Sequence, residues 1–429
     1  MKNIILLSLI LLLLISASCN TTEPPSNTTI TLKLEDVSCT EAWITLTTAN
    51  IQLPAAIMLK QTNQTGGTKT KIINLNTQDS LLYIDSLLPN QTYKFHTTIQ
   101  SSNQSEVKSN EITVATMDTT SHNFTFETFT FGGTAGSSSL YDVAIINENN
   151  IWAVGEIKIA DASINGYTTY NAVHWNGSDW ELKRINMQSS CNPVTYPPLK
   201  AIWAFSENNI AVTSGGSIGW FDGNTNRADC GIRSILTGSI NKLWGSSSND
   251  LYAVGNNGNI AHYNGQSWSK IESGTDLNIN DIWGISDGNG GFNKYLAAYN
   301  AMLKLDANKN LSRIEAESGM HIFSIWGYTN QLIYVVGGEN DALYKNYKWE
   351  IINDPLVNTL YRIKGQNYND VFGISSLGTI LHFNGYNWGS INVPVENIFL
   401  ELNVKGNVIA SVGWRGEEAA ITIIRRNQG

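Results

Sequence analysis

The chain has 429 residues, with 27 Lys and Arg against 36 Asp and Glu. The net charge of −9, with no basic run, argues against nucleic acid and against electrostatic adhesion to anionic lipid. Only 15% of residues are charged, and plentiful Asn, Thr, Ser and Gly suit an extracytoplasmic β-protein with polar turns. At about 150 residues per domain the length allows two or three domains.

At the N-terminus Lys2 supplies a charged start, and Ile4 to Ile15 is apolar but shorter than the roughly 20 residues of a membrane span. Small residues Ser16, Ala17 and Ser18 lead into Cys19. This pattern resembles a bacterial lipoprotein signal with its lipobox, although Ser16 stands where that family usually has Leu. The resemblance implies that residues 1–18 are removed, that Cys19 is acylated, and that the acyl chains together anchor the protein stably. An ordinary secretory peptide with an incidental Cys19, or an uncleaved anchor helix, are the alternatives. The expected location is the cell envelope, lipid-anchored to the outer membrane on its periplasmic or surface face, with the anchor as the only membrane contact.

Residues 19–28, with Pro24 and Pro25, read as a polar tether. From Thr29 to Thr48 apolar and polar residues alternate in two strand-length pieces, a period of two that buries one face. Leu88-Pro89-Asn90-Gln91-Thr92-Tyr93 then precedes another strand, and Ser109 to Thr116 closes the segment. Over residues 29–117 this resembles a fibronectin type III domain. The resemblance implies a tyrosine corner at Tyr93, its ring buried and its hydroxyl bonded to backbone, with Trp43 in the core. Such a domain is expected to act as a spacer or an adhesion module, and residues 118–123 as a linker.

Residues 124–429 restate one phrase about seven times, with starts near Tyr141, Leu199, Ile240, Ile279, His321, Leu360 and Ile398. Each copy offers a first strand ending in an aromatic (Trp203, Trp244, Trp283, Trp326), then a second strand such as Asp250-Leu251-Tyr252-Ala253-Val254-Gly255. A third strand and an Asn-Gly turn (Asn176-Gly177, Asn264-Gly265, Asn384-Gly385) follow, then Trp180, Trp268 or Trp388. Asn-Gly suits such turns because both residues tolerate positive φ. A roughly 40-residue period of four strands predicts one propeller blade, and stacked blades bury one another's faces. The repeated aromatics, and His174, His262 and His382 at one equivalent position, then read as packing. The last repeat has only three strands, while Phe124 to Phe131 is a strand without a partner. It is therefore expected to pair with Ala419 to Ile424 and close the ring.

Gly255-Asn256-Asn257-Gly258-Asn259-Ile260 and the following Asn-Gly-X-X-Trp are similar to propellers with Asp-box or Trp-rich repeats, including sialidase-like and photosystem-assembly-factor-like families. The whole resembles a group of Bacteroidetes/Ignavibacteria-type lipoproteins that pair a fibronectin type III domain with such a propeller. The expected fold class is thus all-β: a fibronectin type III sandwich followed by a seven-bladed β-propeller closed by an N-terminal strand. The resemblance implies architecture rather than activity.

Chemistry is harder to find. Tyr361-Arg362-Ile363-Lys364 is the nearest string to a sialidase opening, but it lacks the proline, and no nucleotide-binding glycine motif, P-loop or nucleophile elbow is present. No cofactor and no metal are expected, since no CxxC or clustered His accompanies the cysteines. Cys39 reads as a buried hydrophobe in a strand-like stretch. Cys191 and Cys230 are the candidates for a disulfide: the oxidising compartment favours pairing, whereas repeat topology starts their loops on opposite faces.

Departures from repeat symmetry cluster. The insertions Ile157 to Tyr170 and Met187 to Pro198 and the turn Gly413 to Glu418 all reach one face, where Tyr167, Tyr170, Tyr196, Trp414 and Arg415 become neighbours by topology. Loop aromatics with an arginine suit a binding surface, and ordinary loop packing is the alternative. The leading expectation is a monomeric, non-catalytic module that binds an envelope protein or a glycan. A carbohydrate-active glycosidase or lyase and an envelope assembly scaffold are the alternatives. Convergent carboxylates and arginine in a central channel would favour the enzyme, a bare channel the other two.

Overall fold

The computed structural model describes residues 28–100, 106–187, 195–229, 231–357, 359–375, 378–393 and 396–427. Among these residues the protein is built almost wholly of antiparallel strands, with one short 3-10 turn at Gly231–Ser234. Contacts divide it into two compact units. One holds the residues up to Asp36 with Ala42–Ile84 and Thr92–Ala115, and the other Val37–Glu41, Asp85–Gln91 and everything from Thr116 onward.

In the first unit, Thr29–Val37, Ala42–Ala49 and Asp79–Ile84 form a three-stranded sheet. Ala55–Asn63, Thr68–Leu75, Thr92–Gln100, Glu106–Lys108 and Ile112–Ala115 form a second. Alternation works as expected on Thr29–Val37, where Ile30 and Leu32 are buried between exposed Thr29, Thr31 and Lys33. Trp43, Ile44, Leu46, Phe95 and Tyr93 are buried, and Trp43 packs against Tyr83 with ring centroids 5.7 Å apart. Cys39, in the Val37–Glu41 bend that belongs to the second unit, is buried with a free thiol pushed up to about 12 by burial. The strand-like reading of Cys39 fails because Thr29–Val37 ends two residues earlier.

In the second unit the described strands make seven four-stranded antiparallel sheets. Their first strands are Ser139–Asn147, Ala201–Ser206, Ile240–Ser247, Asp281–Ser286, Ser324–Thr329, Leu360–Asn367 and Asn397–Lys405. Each of these lies against the next, and the seventh lies against the first. The expected partner strand is present: Phe124–Gly132 pairs along its length with Glu418–Arg426, from Phe124 opposite Arg426 to Gly132 opposite Glu418. The order of the seventh sheet is therefore three C-terminal strands and then this early one.

Position within a sheet explains burial. Second strands such as Leu332–Val336 and Asp370–Ser375 are buried throughout, because they have a strand on each side and a sheet on each face. Fourth strands such as Trp180–Lys183 are only half-buried at the sheet edge. The tryptophans of the first strands tie consecutive sheets. Trp203 Nε1 donates to Gly245 O at 3.1 Å and Trp283 Nε1 to Gly327 O at 2.9 Å. Trp244 covers Gly284 so closely that a Cβ there would stand 1.9 Å from the indole.

The three histidines stack on second-strand aromatics: His174 on Trp152 at 4.1 Å, His262 on Tyr252 at 4.5 Å and His382 on Phe372 at 4.7 Å. Each also bonds the residue that opens the second strand, Asn150 at 3.1 Å, Asp250 at 2.8 Å and Asp370 at 3.2 Å.

Two local expectations change. In the Asn-Gly turns only glycine takes positive φ, 99° at Gly177, 91° at Gly265 and 93° at Gly385. The Asn contributes its side chain instead: Asn264 Oδ1 accepts from Gln266 N at 3.0 Å and Ser267 N at 2.9 Å. A four-residue connection needs that Asx cap rather than two left-handed residues. The Ile157 to Tyr170 insertion is likewise no loose loop. It prolongs Asn150–Ala160 and Tyr167–Trp175 into a paired ribbon, with Ala160 opposite Tyr167.

Candidate functional site

Aligning the seven first strands brings one residue of each to the same register: Asp142, Ala201, Lys242, Asp281, Ser324, Arg362 and Glu401. This column repeats no single residue type: it holds three acids, two bases, an alanine and a serine. Its charged members meet. Lys242 Nζ donates to Asp142 Oδ1 at 2.8 Å and to Glu401 Oε2 at 2.7 Å, so the third sheet is tied to the first and the seventh. Arg362 Nε lies 3.3 Å from the same Glu401 oxygen. Lys364, two residues further along the sixth sheet, donates to Asp281 Oδ2 of the fourth at 2.7 Å.

Backbone groups complete the carboxylates. Asp142 Oδ2 accepts from Ile202 N of the second sheet at 3.0 Å, and Asp281 Oδ2 accepts from Ile325 N of the fifth at 3.1 Å and from Ser324 Oγ at 2.7 Å. Ser324 Oγ in turn accepts from Ile363 N of the sixth sheet at 3.2 Å. Burial disfavours charge on Glu401, Lys242 and Asp142, and its balance against the ion pairs differs among the three. For Glu401 burial is outweighed by Lys242 and Arg362, and its carboxyl falls to about 2. Burial also opposes the Lys242 ammonium, yet Asp142 and Glu401 hold its pKa above the ordinary value. Burial wins at Asp142 and pushes its carboxyl up.

Asp142, Lys242 and Lys364 line a chamber of about 60 Å³ together with Val143, Ile202, Trp203, Ile282, Trp283 and Leu402, and their ion pairs reach Asp281 and Glu401 beside it. That is room for a few waters and far below the roughly 300 to 1,000 Å³ of a small-molecule pocket. The channel is therefore neither bare nor open. It holds convergent carboxylates and arginine, and each carboxylate is committed to a cation. Sequence reading singled out Arg362 and Lys364 only as a poor sialidase match, and missed Asp142, Lys242, Asp281 and Glu401. The repeat starts contained the signal: a charged residue at this position in five of the seven copies, each followed by Val, Ile or Leu.

The surface residues expected from sequence are placed as follows. Tyr167 opens a strand and is partly exposed, while Tyr170, opposite Ile157, packs against the buried cluster that includes Val412 and Ala419. Tyr196 carries the Arg184 guanidinium 3.8 Å above its ring, and Arg415 is ion-paired with Glu396. Trp414 and Arg415 are strand residues opposite Ile398 and Asn397, because Val408–Arg415 and Glu418–Arg426 run up to a tight turn at Gly416-Glu417. Cys19, Cys191 and Cys230 lie outside the described residues. Among the described residues no group of His, Cys, Asp and Glu is arranged to hold a metal ion, and no helix is long and apolar enough to cross a membrane.

No family model matches the chain, and no curated protein matches it. Solved structures do share its fold. One described as YCF48 bound to D1 peptide superposes with a TM-score of 0.52 at 12% identity, covering 72% of this chain and 99% of that one. The WD40 repeats of RRP9 give 0.51 at 10% identity, covering 70% and 97%. The WD40 β-propeller domain of Doa1 gives 0.50 at 11% identity, covering 70% and 96%. The second unit has a WD40-like β-propeller fold.

Proposed function

We propose that this is a lipid-anchored envelope protein whose propeller binds a protein partner and performs no chemistry of its own. In this reading the seven sheets are the blades of a ring closed by Phe124–Gly132. The three- and five-stranded sheets are a fibronectin type III spacer with Tyr93 at its corner, and Cys19 carries the lipid. The protein acts as a monomer, and Tyr167, Tyr170, Tyr196, Trp414 and Arg415 belong to its binding face.

One observation carries the non-catalytic part: the axial carboxylates are already neutralised by Lys242, Arg362 and Lys364 around a chamber too small for a sugar ring. General acid–base work on a glycoside needs two carboxyls facing a bound substrate, with one free to give up a proton. Here binding falls to the outer surface. Peptide binding is what the description of one fold neighbour records, and that neighbour supports a peptide over a glycan. The test is selection of a random peptide library on the full chain, alongside a glycan array and a panel of aryl glycosides. Enriched peptides that bind in solution support the reading. Glycoside turnover abolished by Glu401→Gln would replace it with the enzyme.

A further inference from the structure

A second concavity, a groove of about 500 Å³, opens where the first strands of the first three sheets begin. Tyr141, Lys200, Ser214, Ser239, Asn241 and Asn256 border it. Tyr141, Lys200 and Asn241 each stand one residue before the axial column, at Asp142, Ala201 and Lys242. They too break repeat symmetry. Their column mixes Tyr, Lys, Asn, Phe and Leu across the seven copies, unlike the repeated tryptophans of the first strands.

The electrostatics of the groove are one-sided. Asp142, Asp281 and Glu401 are matched by Lys242, Arg362 and Lys364, three against three. Lys200 adds a fourth cation, makes no ion pair among the described residues, and lies 5.4 Å over the Tyr141 ring. Burial and then Arg362 lower its ammonium pKa, against the pull of Asp142 and Glu401. A chain of net charge −9 thus presents an unmatched cation in a concave site.

Two neutral groups beside it can donate. Asn256 Oδ1 is taken by Asn241 Nδ2 at 2.9 Å, which leaves the Asn256 amide NH2 to give. Burial raises the Tyr141 hydroxyl pKa, so it stays a donor as well. A carboxylate accepts and never donates, and it matches one ammonium with two neutral donors. One cation without an arginine fork is a weaker match for phosphate.

We propose that this groove binds a carboxylate of a partner peptide, with Lys200 as its charged donor and Asn256 and Tyr141 as its neutral ones. The inference rests on the peptide-binding reading and adds the chemistry of the ligand. The carboxylate can come from an acidic side chain or from a chain terminus, and two probes separate these sources. One is a fluorescein-labelled (Gly-Glu)3 peptide with an amidated end, the other a (Gly-Gln)3 peptide with a free end; amidated (Gly-Gln)3 is the uncharged control. With the full chain, at least one acidic probe should bind more tightly than the control. Lys200→Gln should weaken that binding about ten- to hundredfold, the loss of one hydrogen bond to a charged group, and Lys200→Arg should restore most of it. Equal binding of control and acidic probes, or full binding by Lys200→Gln with an unchanged melting temperature, overturns the carboxylate assignment. In either case peptides from library selection that still bind elsewhere keep the broader reading, whereas failure of the library and of every probe removes both.

Discussion

The repeat unit solves two problems in different ways. Within and between neighbouring sheets, one answer recurs: indole on glycine, and imidazole between an aromatic and an Asn or Asp. Each blade meets the same neighbour geometry, so the same residue types serve. Asp142, Lys242, Arg362 and Glu401 of four first strands meet within a small volume, and a repeated charge there would face copies of itself. Like charges a few ångströms apart in a buried chamber repel strongly. The column from Asp142 to Glu401 therefore differs from sheet to sheet, with acids and bases that pair between sheets. A periodic sequence can specify stacking, but only an aperiodic one can specify a neutral centre.

The harshest test of this division removes the periphery. Deleting residues 124–132 would strip the seventh sheet of its outer strand and bare the edge of Glu418–Arg426, together with the packing of Phe129 and Phe131. Aggregation on size-exclusion chromatography, or loss of a cooperative melt, is expected. A monomer that melts like the parent would show that contacts between the first strands alone hold the seven sheets together. Next in size is Lys242→Met, which leaves Asp142 and Glu401 buried without their shared cation. One-sided removal of a buried pair costs about 3–5 kcal/mol, measurable as a drop in the urea midpoint. A loss below about 1 kcal/mol would mean that the axial charges are dispensable.

Acid should act at the same place. The Glu401 carboxyl is depressed from its ordinary 4.5 to about 2 in the folded state. Its stabilisation is complete above the unfolded value and disappears as pH falls through about 2. By linkage this amounts to at most about 3 kcal/mol, reduced by Asp142, whose raised carboxyl works with the opposite sign. Urea midpoints from pH 5 to pH 2 should trace this limb, and Glu401→Gln should flatten it. Gly284→Ala probes the stacking side instead. A methyl that would stand 1.9 Å from the Trp244 indole must push the ring or the strand, at about 1–3 kcal/mol. An unchanged melting temperature would show that the third and fourth sheets do not pack as closely as described.

The same division explains what could be read from the chain alone. Strand number, blade period and the pairing of Phe124–Gly132 were legible because periodicity and an unpaired alternating strand are local signals. Turn geometry was read half correctly: Gly177, Gly265 and Gly385 announced positive φ, but the capping role of the preceding Asn side chain depends on the four-residue spacing. The axial ring was not recognised, although its members occupy one repeat position, because the contact between Lys242 and Glu401 spans 159 residues and exists only once the sheets are in order. The partners of Arg415 and Tyr196, Glu396 and Arg184, are matters of side-chain reach that no pattern carries.

The smallest effect is expected where the chain has already tried the substitution. Asp250 bonds His262 at 2.8 Å in the third sheet, and Asn150 bonds His174 at 3.1 Å at the equivalent place in the first. Asp250→Asn therefore writes one blade's solution into another. The exchange replaces a charge-assisted hydrogen bond by a neutral one, and it weakens the second bond that Asp250 accepts from Ser246 Oγ at 2.6 Å. A loss of about 1 kcal/mol or less is the expected result in thermal unfolding. A penalty as large as that of Lys242→Met would mean that position 250 is not interchangeable between blades, and that the periodic columns are tuned copy by copy as the axis is.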